Sequence, residues 1–248
     1  MSDLVVELKD LGPGVIQIKM QDKVHKNTFS EELTEGLISA FDKIKTSNYK
    51  VVILTGYDNY FASGGTQEGL LYLSKGKGKF TDTNLYSLAL NCPIPVISAM
   101  QGHGIGGGFV MGLFADFVIL GRECVYTTNF MKYGFTPGMG ATLILPQKLG
   151  ISLAEEMLLA AKTYRGEDLQ KRGVPFPVLS RKEVTEYALE LAYSLAEKPR
   201  ISLITLKDHL VSSLREQLPQ KIEQEVAMHE MTFYQEEVKE NIHALFGK

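Results

Sequence analysis

Two glycine-rich turns carry the residues most able to do chemistry. Gly64-Gly65 follows the apolar run VVILT, and GHGIGGG, Gly102 to Gly108, follows PVISAM; each leads into a helical pattern. A chain turning from strand into helix presents unpaired backbone N–H groups and a partial positive charge, which suits a developing oxyanion. One donor rarely makes an oxyanion hole, and two such turns could aim two N–H groups at one oxygen. The second run also matches G-x-G-x-x-G at Gly102, Gly104 and Gly107. A dinucleotide site is disfavoured, because that fingerprint opens a first βαβ unit, whereas strand and helix signals here fill the residues before it. A tight turn that merely needs small residues is the structural alternative.

Side chains able to move protons or pair with anions are fewer. His229 shares a helical face with Ile222, Val226 and Phe233; taken alone, a histidine on an apolar stripe reads as a core residue. His103 lies inside a glycine turn and reads as turn packing. Lys75, Lys77 and Lys79 alternate with glycine in a flexible basic loop. Any of the three could close over a pocket and pair with a carboxylate, and the residues themselves do not choose among them. His25 and Lys26 read as a solvated loop.

The elements that must position these groups follow from periodicity. Val15 to Met20 alternates as a half-buried strand. Val51 to Thr55, Pro95 to Met100 and Asp116 to Leu120 are continuous apolar runs, expected for strands covered on both faces. Ser30 is a predicted N-cap for a helix whose apolar face holds Leu33, Leu37, Phe41 and Ile44. Buried strands alternating with helical segments imply an α/β fold of βαβ-type units. From about Ile151 onward helical signals dominate, with Gly166 and Pro199 as punctuation, and Leu218 to Phe246 reads as one or two amphipathic helices.

Bulk properties narrow the classes. The 248 residues are 44% hydrophobic and 22% charged, with a formal net charge of -3, which is ordinary globular composition and gives no reason to expect a nucleic-acid partner. No apolar stretch reaches the roughly 18 residues of a membrane span. The beginning MSDLVVELKD lacks the pattern of a secretory signal, and two cysteines, Cys92 and Cys124, suggest neither a disulfide framework nor a zinc site. The expectation is a cytoplasmic protein without a metal or cofactor.

The blocks VVILTGYDNYFASGGT, PVISAMQGHGIGGGFVMGLFADFVIL and YGFTPGMGAT, in this order and spacing, resemble the crotonase (enoyl-CoA hydratase/isomerase) superfamily. The resemblance spans essentially the whole chain. It implies a repeated ββα spiral core over residues 1–195 and a C-terminal helical region, 196–248, that completes the active site and makes trimer contacts. Carried over by position, the N–H groups of Gly65 and Gly107 bind a thioester oxygen, and His25 and Lys26 contact nucleotide or pantetheine phosphates. Hydratases of the family carry carboxylates where this chain has Val110 and Phe130. Adding water to a conjugated double bond needs a base and an acid, so hydration is disfavoured, and both residues are expected to line an apolar pocket instead.

More closely, DNYFASGGTQEGLL, QGHGIGGGFVMGLFAD and NFMKYGFTPGMGAT resemble the decarboxylating crotonases of the HMG-synthase cassette, which install β-branches in bacterial polyketides. That resemblance implies a 3-methylglutaconyl substrate on an acyl carrier protein, polyketide synthase partners, a 3-methylcrotonyl thioester product, a homotrimer, and functional side chains at Lys79 and His229. Loss of CO2 feeds electrons into the thioester and gives a dienolate, which needs an oxyanion hole and one proton. Two alternatives stand beside this reading: an enoyl-thioester isomerase, and a catalytically silent thioester- or carrier-binding subunit.

Overall fold

The computed structural model describes residues 4–246. In chain order the first strands are β1 (Val6–Asp10), β2 (Val15–Met20), β3 (Val51–Thr55), β4 (Tyr60–Ala62) and β5 (Val96–Met100). They are followed by β6 (His103–Ile105), β7 (Phe117–Gly121), β8 (Val125–Thr127), β9 (Tyr164–Arg165) and β10 (Val178–Leu179). The helices of the first half are α1 (Glu31–Lys45), α2 (Gln67–Ser74), α3 (Leu88–Asn91) and α4 (Gly107–Leu113). Those of the second half are α5 (Ala141–Leu149), α6 (Ile151–Leu159), α7 (Gly166–Lys171), α8 (Val184–Ala196), α9 (Arg200–Thr232) and α10 (Glu236–Leu245).

A larger sheet runs β1-β2-β3-β5-β7-β10 and a smaller one β4-β6-β8-β9. The strands β2, β3, β5 and β7 pair in parallel, as do β4, β6 and β8. Successive turns of chain therefore place one strand in each sheet and then a helix: β3-β4-α2, β5-β6-α4, and β7-β8 leading to α5. An earlier turn follows the same course, since Phe29, just before α1, bridges Gly65 in parallel. This is the ββα spiral.

The continuous apolar runs are explained by covering on both faces. Val51, Ile53, Ile97, Ala99 and Ile119 pack with Val184, Ala188 and Ala192 of α8. Their neighbours Val52, Leu54, Val96, Met100, Val118 and Leu120 point into the main core with Leu33, Leu37 and Phe41 of α1. With side chains alternating along a strand, both sets must be apolar. Ser30 caps α1 as expected, its hydroxyl accepting from Leu33 N–H at 3.2 Å.

The C-terminal helix begins earlier than the pattern from Leu218 implies. α9 runs unbroken through 33 residues, with Pro219 inside it. Its first half exposes Ile201, Leu206 and Leu210, so it lacks a simple apolar stripe and is held by polar anchors. Lys207 is buried and donates to Asp116 at 2.7 Å and to the carbonyls of Ala89 and Ile94 at 2.9 and 3.0 Å. Arg215 donates to the Leu90 carbonyl at 2.8 Å. The two-residue strands β9 and β10 also escape the sequence pattern, being too short to show a period. Among the described residues no helix is long and apolar enough to cross a membrane.

Candidate active site

The two glycine turns meet. Gly64, at φ +76°, accepts from Phe29 N–H at 2.7 Å. A Cβ on it would lie 3.0 Å from the Ile105 carbonyl and 3.3 Å from Gly107 N, so the backbones of both turns are in contact. Thr66 then caps α2, accepting from Gly69 N–H at 3.0 Å. In the second turn, Gly106 adopts φ 54° and ψ -126°, a region essentially reserved for glycine. Gly108 is required for a different reason: a Cβ there would fall 2.2 Å from the Ala62 carbonyl oxygen. Between them, Gly107 starts α4 with Met139 and the Phe29 ring against its Cα.

Gly65 and Gly107 border two chambers. The inner, about 310 Å³, is lined mainly by Phe29, Leu70, Leu73, Phe80, Phe130, Phe135, Met139 and Phe233, with Lys79 and His229 as ionisable groups beside the hydroxyls of Thr34, Thr66, Tyr72, Thr83 and Tyr86. One carboxylate, Asp82, borders it; this residue is exposed and accepts the N–H of Lys79 at 2.8 Å. The outer, about 530 Å³, shares Gly65, Gly107, Phe130 and Phe135 and extends past Asn129, His25 and Lys26.

Lys79 therefore reaches the inner chamber, whereas Lys75 and Lys77 border neither. The turn closed by Asp82 sets its backbone, and its Nζ lies 3.3 Å from Glu230 on α9, both side chains about half exposed. His229 is half-buried on α9, edge-on to Phe80 with ring centres 4.8 Å apart and tilted against Phe233 at 5.0 Å. Its Nε2 is 2.6 Å from the Thr136 carbonyl; that contact assigns the proton to Nε2 and leaves Nδ1 as acceptor. Burial pushes its pKa down to about 4, with the Thr136 carbonyl pulling the other way. The resting imidazole is neutral, not a charged acid.

The remaining positions divide. Phe130 borders both chambers. Val110 borders neither, which corrects the expectation of a pocket wall at this position: α4 is buried along its whole length, and Val110 faces the main core. His25 and Lys26 are exposed at the outer chamber, His25 paired with Asp22 at 2.9 Å. His103 accepts Val125 N–H at 2.9 Å and borders neither chamber. Sequence reasoning missed Thr136, Glu230 and Glu225. The GFTPGMG block marks the neighbourhood of the first, but a main-chain acceptor has no signature of its own. Among the described residues no cluster of His, Cys, Asp and Glu could hold a metal ion.

The enoyl-CoA hydratase/isomerase family model matches residues 10–248. The chain belongs to this family. Over their full lengths, it is 69% identical to the bacillaene synthase decarboxylase PksI of Bacillus subtilis. It is 25% identical to a 2,3-dehydroadipyl-CoA hydratase of Escherichia coli, covering all of this chain and 97% of that one. A structure from a dehydratase/decarboxylase couple of polyketide β-branching superposes with TM-score 0.98 at 70% identity, over 98% of this chain and 100% of that one. The ECH2 decarboxylase domain of CurF from Lyngbya majuscula gives 0.94 at 46% identity, over 98% and 100%. Within the family, this chain therefore stands much nearer to decarboxylases than to that hydratase.

Proposed function

We propose that this family member is a decarboxylase of polyketide β-branching, acting on a 3-methylglutaconyl thioester carried by an acyl carrier protein and yielding a 3-methylcrotonyl thioester. One observation supports the reading: Gly65, Gly107, Lys79 and His229 all border one largely apolar chamber, whose bordering carboxylate, Asp82, is turned to the Lys79 backbone. Gly65 and Gly107 N–H groups receive the thioester oxygen as CO2 leaves and charge moves into the dienolate. Lys79 pairs with the substrate carboxylate, exchanging Glu230 for it. Phe130 and its aromatic neighbours exclude water, and the pantetheine arm follows the outer chamber past His25 and Lys26.

The neutral state of His229 gives the proton step its order. At a pKa of about 4, roughly one imidazole in a thousand is protonated at pH 7 in the empty site. A substrate carboxylate entering the chamber favours the imidazolium. When the C–C bond breaks, its electron pair enters the dienolate and CO2 departs uncharged. The anion that held the proton is then gone, and Nδ1–H passes it to the dienolate carbon. One carboxylate and one proton become CO2 and the protonated enoyl thioester.

Residues 196–248 are proposed to complete this site on a core of 1–195 and to make the contacts of a homotrimer; exposed Ile201, Leu206 and Leu210 support a covered face there. A cytoplasmic setting beside polyketide synthase modules fits this role. The test is a panel of 3-methylglutaconyl, crotonyl and β,γ-enoyl thioesters on carrier protein and on CoA. Release of CO2 from the first is the expected result. Double-bond migration alone would make the chain an isomerase, and binding without turnover a silent subunit.

A further inference from the structure

Glu225 is fully buried on α9, one helical turn before His229. Its carboxylate accepts three hydrogen bonds from one short segment. Gly140 N–H reaches Oε2 at 2.7 Å, and the N–H and hydroxyl of Thr142 reach Oε1 at 2.9 and 2.6 Å. The two N–H groups are those expected of a carboxylate acceptor at the start of α5, and the hydroxyl can serve the same oxygen, so the ionised form is matched. Burial still opposes it, raising the carboxyl's pKa against the pull of these donors. A buried charge is an expensive way to fill space that an apolar side chain would fill more cheaply, and the residues it grips suggest what it secures.

The gripped segment touches both halves of the site. Upstream of Gly140, Thr136 gives its carbonyl to His229 and its hydroxyl meets Thr232 of α9 at 3.0 Å. Gly138 lies against the His229 ring, where a Cβ would be 3.1 Å from Cε1, and Met139 lies against Gly107. Thr136 thus ties one end of the 136–142 segment to α9, and Glu225 ties the other.

We propose that Glu225 is a positioning residue, fixing the 136–142 segment on α9 so that the Thr136 carbonyl keeps the Nε2–H of His229 and Met139 stays against the Gly107 turn. The kinetic consequences rest on the decarboxylase reading; the geometric ones do not.

The experiment compares full-length wild type with Glu225→Gln, Glu225→Ala and Thr142→Val. It follows the ring nitrogens of 15N-histidine-labelled protein by NMR, with kcat, KM and the α,β to β,γ product ratio for 3-methylglutaconyl thioester. Glu225→Ala should lower kcat by roughly ten- to a hundredfold, the scale of a small misplacement at a reacting centre, with KM little changed. His229 should lose its single Nε2–H tautomer signature. Glu225→Gln, which keeps an acceptor oxygen, should recover part of both. Should Glu225→Ala not fold, Thr142→Val decides, because it removes one of the three bonds without changing side-chain shape. It should give a smaller kcat loss and a shifted His229 resonance. Folded variants with wild-type His229 resonances and wild-type kcat would overturn the proposal, as would kcat losses that only track the unfolded fraction. If wild type releases no CO2, the decarboxylase reading fails, while the resonances still decide the role of Glu225.

Discussion

The two sides of the inner chamber are built from different materials. On one side the groups proposed to react are main-chain N–H donors at Gly65 and Gly107, set by turns whose backbones touch and whose strands, β4 and β6, pair in parallel. On the other they are side chains: Lys79, exposed on a loop and paired with Glu230, and His229, on a helix that joins the core through long-range contacts. In the proposed reaction, the fixed side meets the charge that develops as CO2 leaves. In the same proposal, the adjustable side meets the groups that come and go, a carboxylate and a proton. Preorganisation is placed where the transition state needs it and freedom where the substrate must enter.

The sharpest way to break this comparison is at Gly107. It is the first residue of α4, where proline's missing N–H is tolerated, so Gly107→Pro should remove the donor, with circular dichroism checking that the variant, whose Cβ must displace Met139, is folded. CO2 release should fall by roughly 10²–10³. Gly107→Ala separates the added carbon, which meets the movable Met139 side chain at 2.5 Å, from the lost donor. It should retain much more activity than the proline variant. Equal rates for the two in steady-state assays would remove this N–H from the oxyanion hole.

His229 should be visible in stability as well as turnover. Its folded-state pKa of about 4 lies below the unfolded value near 6.5. At this residue the unfolded chain thus binds more protons between these pH values, and its contribution to stability rises with pH across that window. The histidine's share is up to about 3 kcal/mol. Urea unfolding at pH 4.5 and 7.5 should show a smaller pH difference for His229→Leu than for wild type. Identical differences would mean that the imidazole is not held neutral.

Lys79 should matter only through its charge partner. Lys79→Ala should lower kcat/KM for the carboxylate-bearing thioester by roughly ten- to a hundredfold, as for a lost charged hydrogen bond of about 1.5–3 kcal/mol. Affinity for an analogue lacking that carboxylate should stay near wild type by titration calorimetry; equal losses for both would assign Lys79 to the shape of the loop. The smallest effect is expected at Glu230. Its pair with Lys79 is half exposed at 3.3 Å, so Glu230→Gln should change unfolding free energy by at most about 1 kcal/mol. A larger change in chemical denaturation would make the adjustable side more rigid than described.

The same division explains what could be read beforehand. Glycine records backbone geometry in residue type, because Gly106 needs a conformation other residues avoid and Gly108 has no room for a Cβ; the turns were legible for that reason. The strands were legible because two covered faces demand unbroken apolar runs. Lys79 was not separable from Lys75 and Lys77 without the resemblance, since the hydrogen bond from its own N–H to Asp82 has no periodic signature. Val110 failed as a pocket residue because position in a motif does not fix which way a buried helix turns its side chains. Glu225 was invisible: an acid within a charged helix reads as solvated, and only the fold brings Gly140 and Thr142 to it.

The anchoring of Lys207 bears on the order in which the molecule matures. Its Nζ binds carbonyls 118 and 113 residues away, at Ala89 and Ile94. Closing so long a stretch of chain is entropically slow compared with local turns, and during synthesis the N-terminal part emerges first. The glycine cradle can form from residues already translated, whereas His229 arrives only when α9 docks. If the proposed roles hold, a nascent chain would be able to hold a thioester oxygen before it could deliver a proton, and the docking of one helix would bring the site to completion.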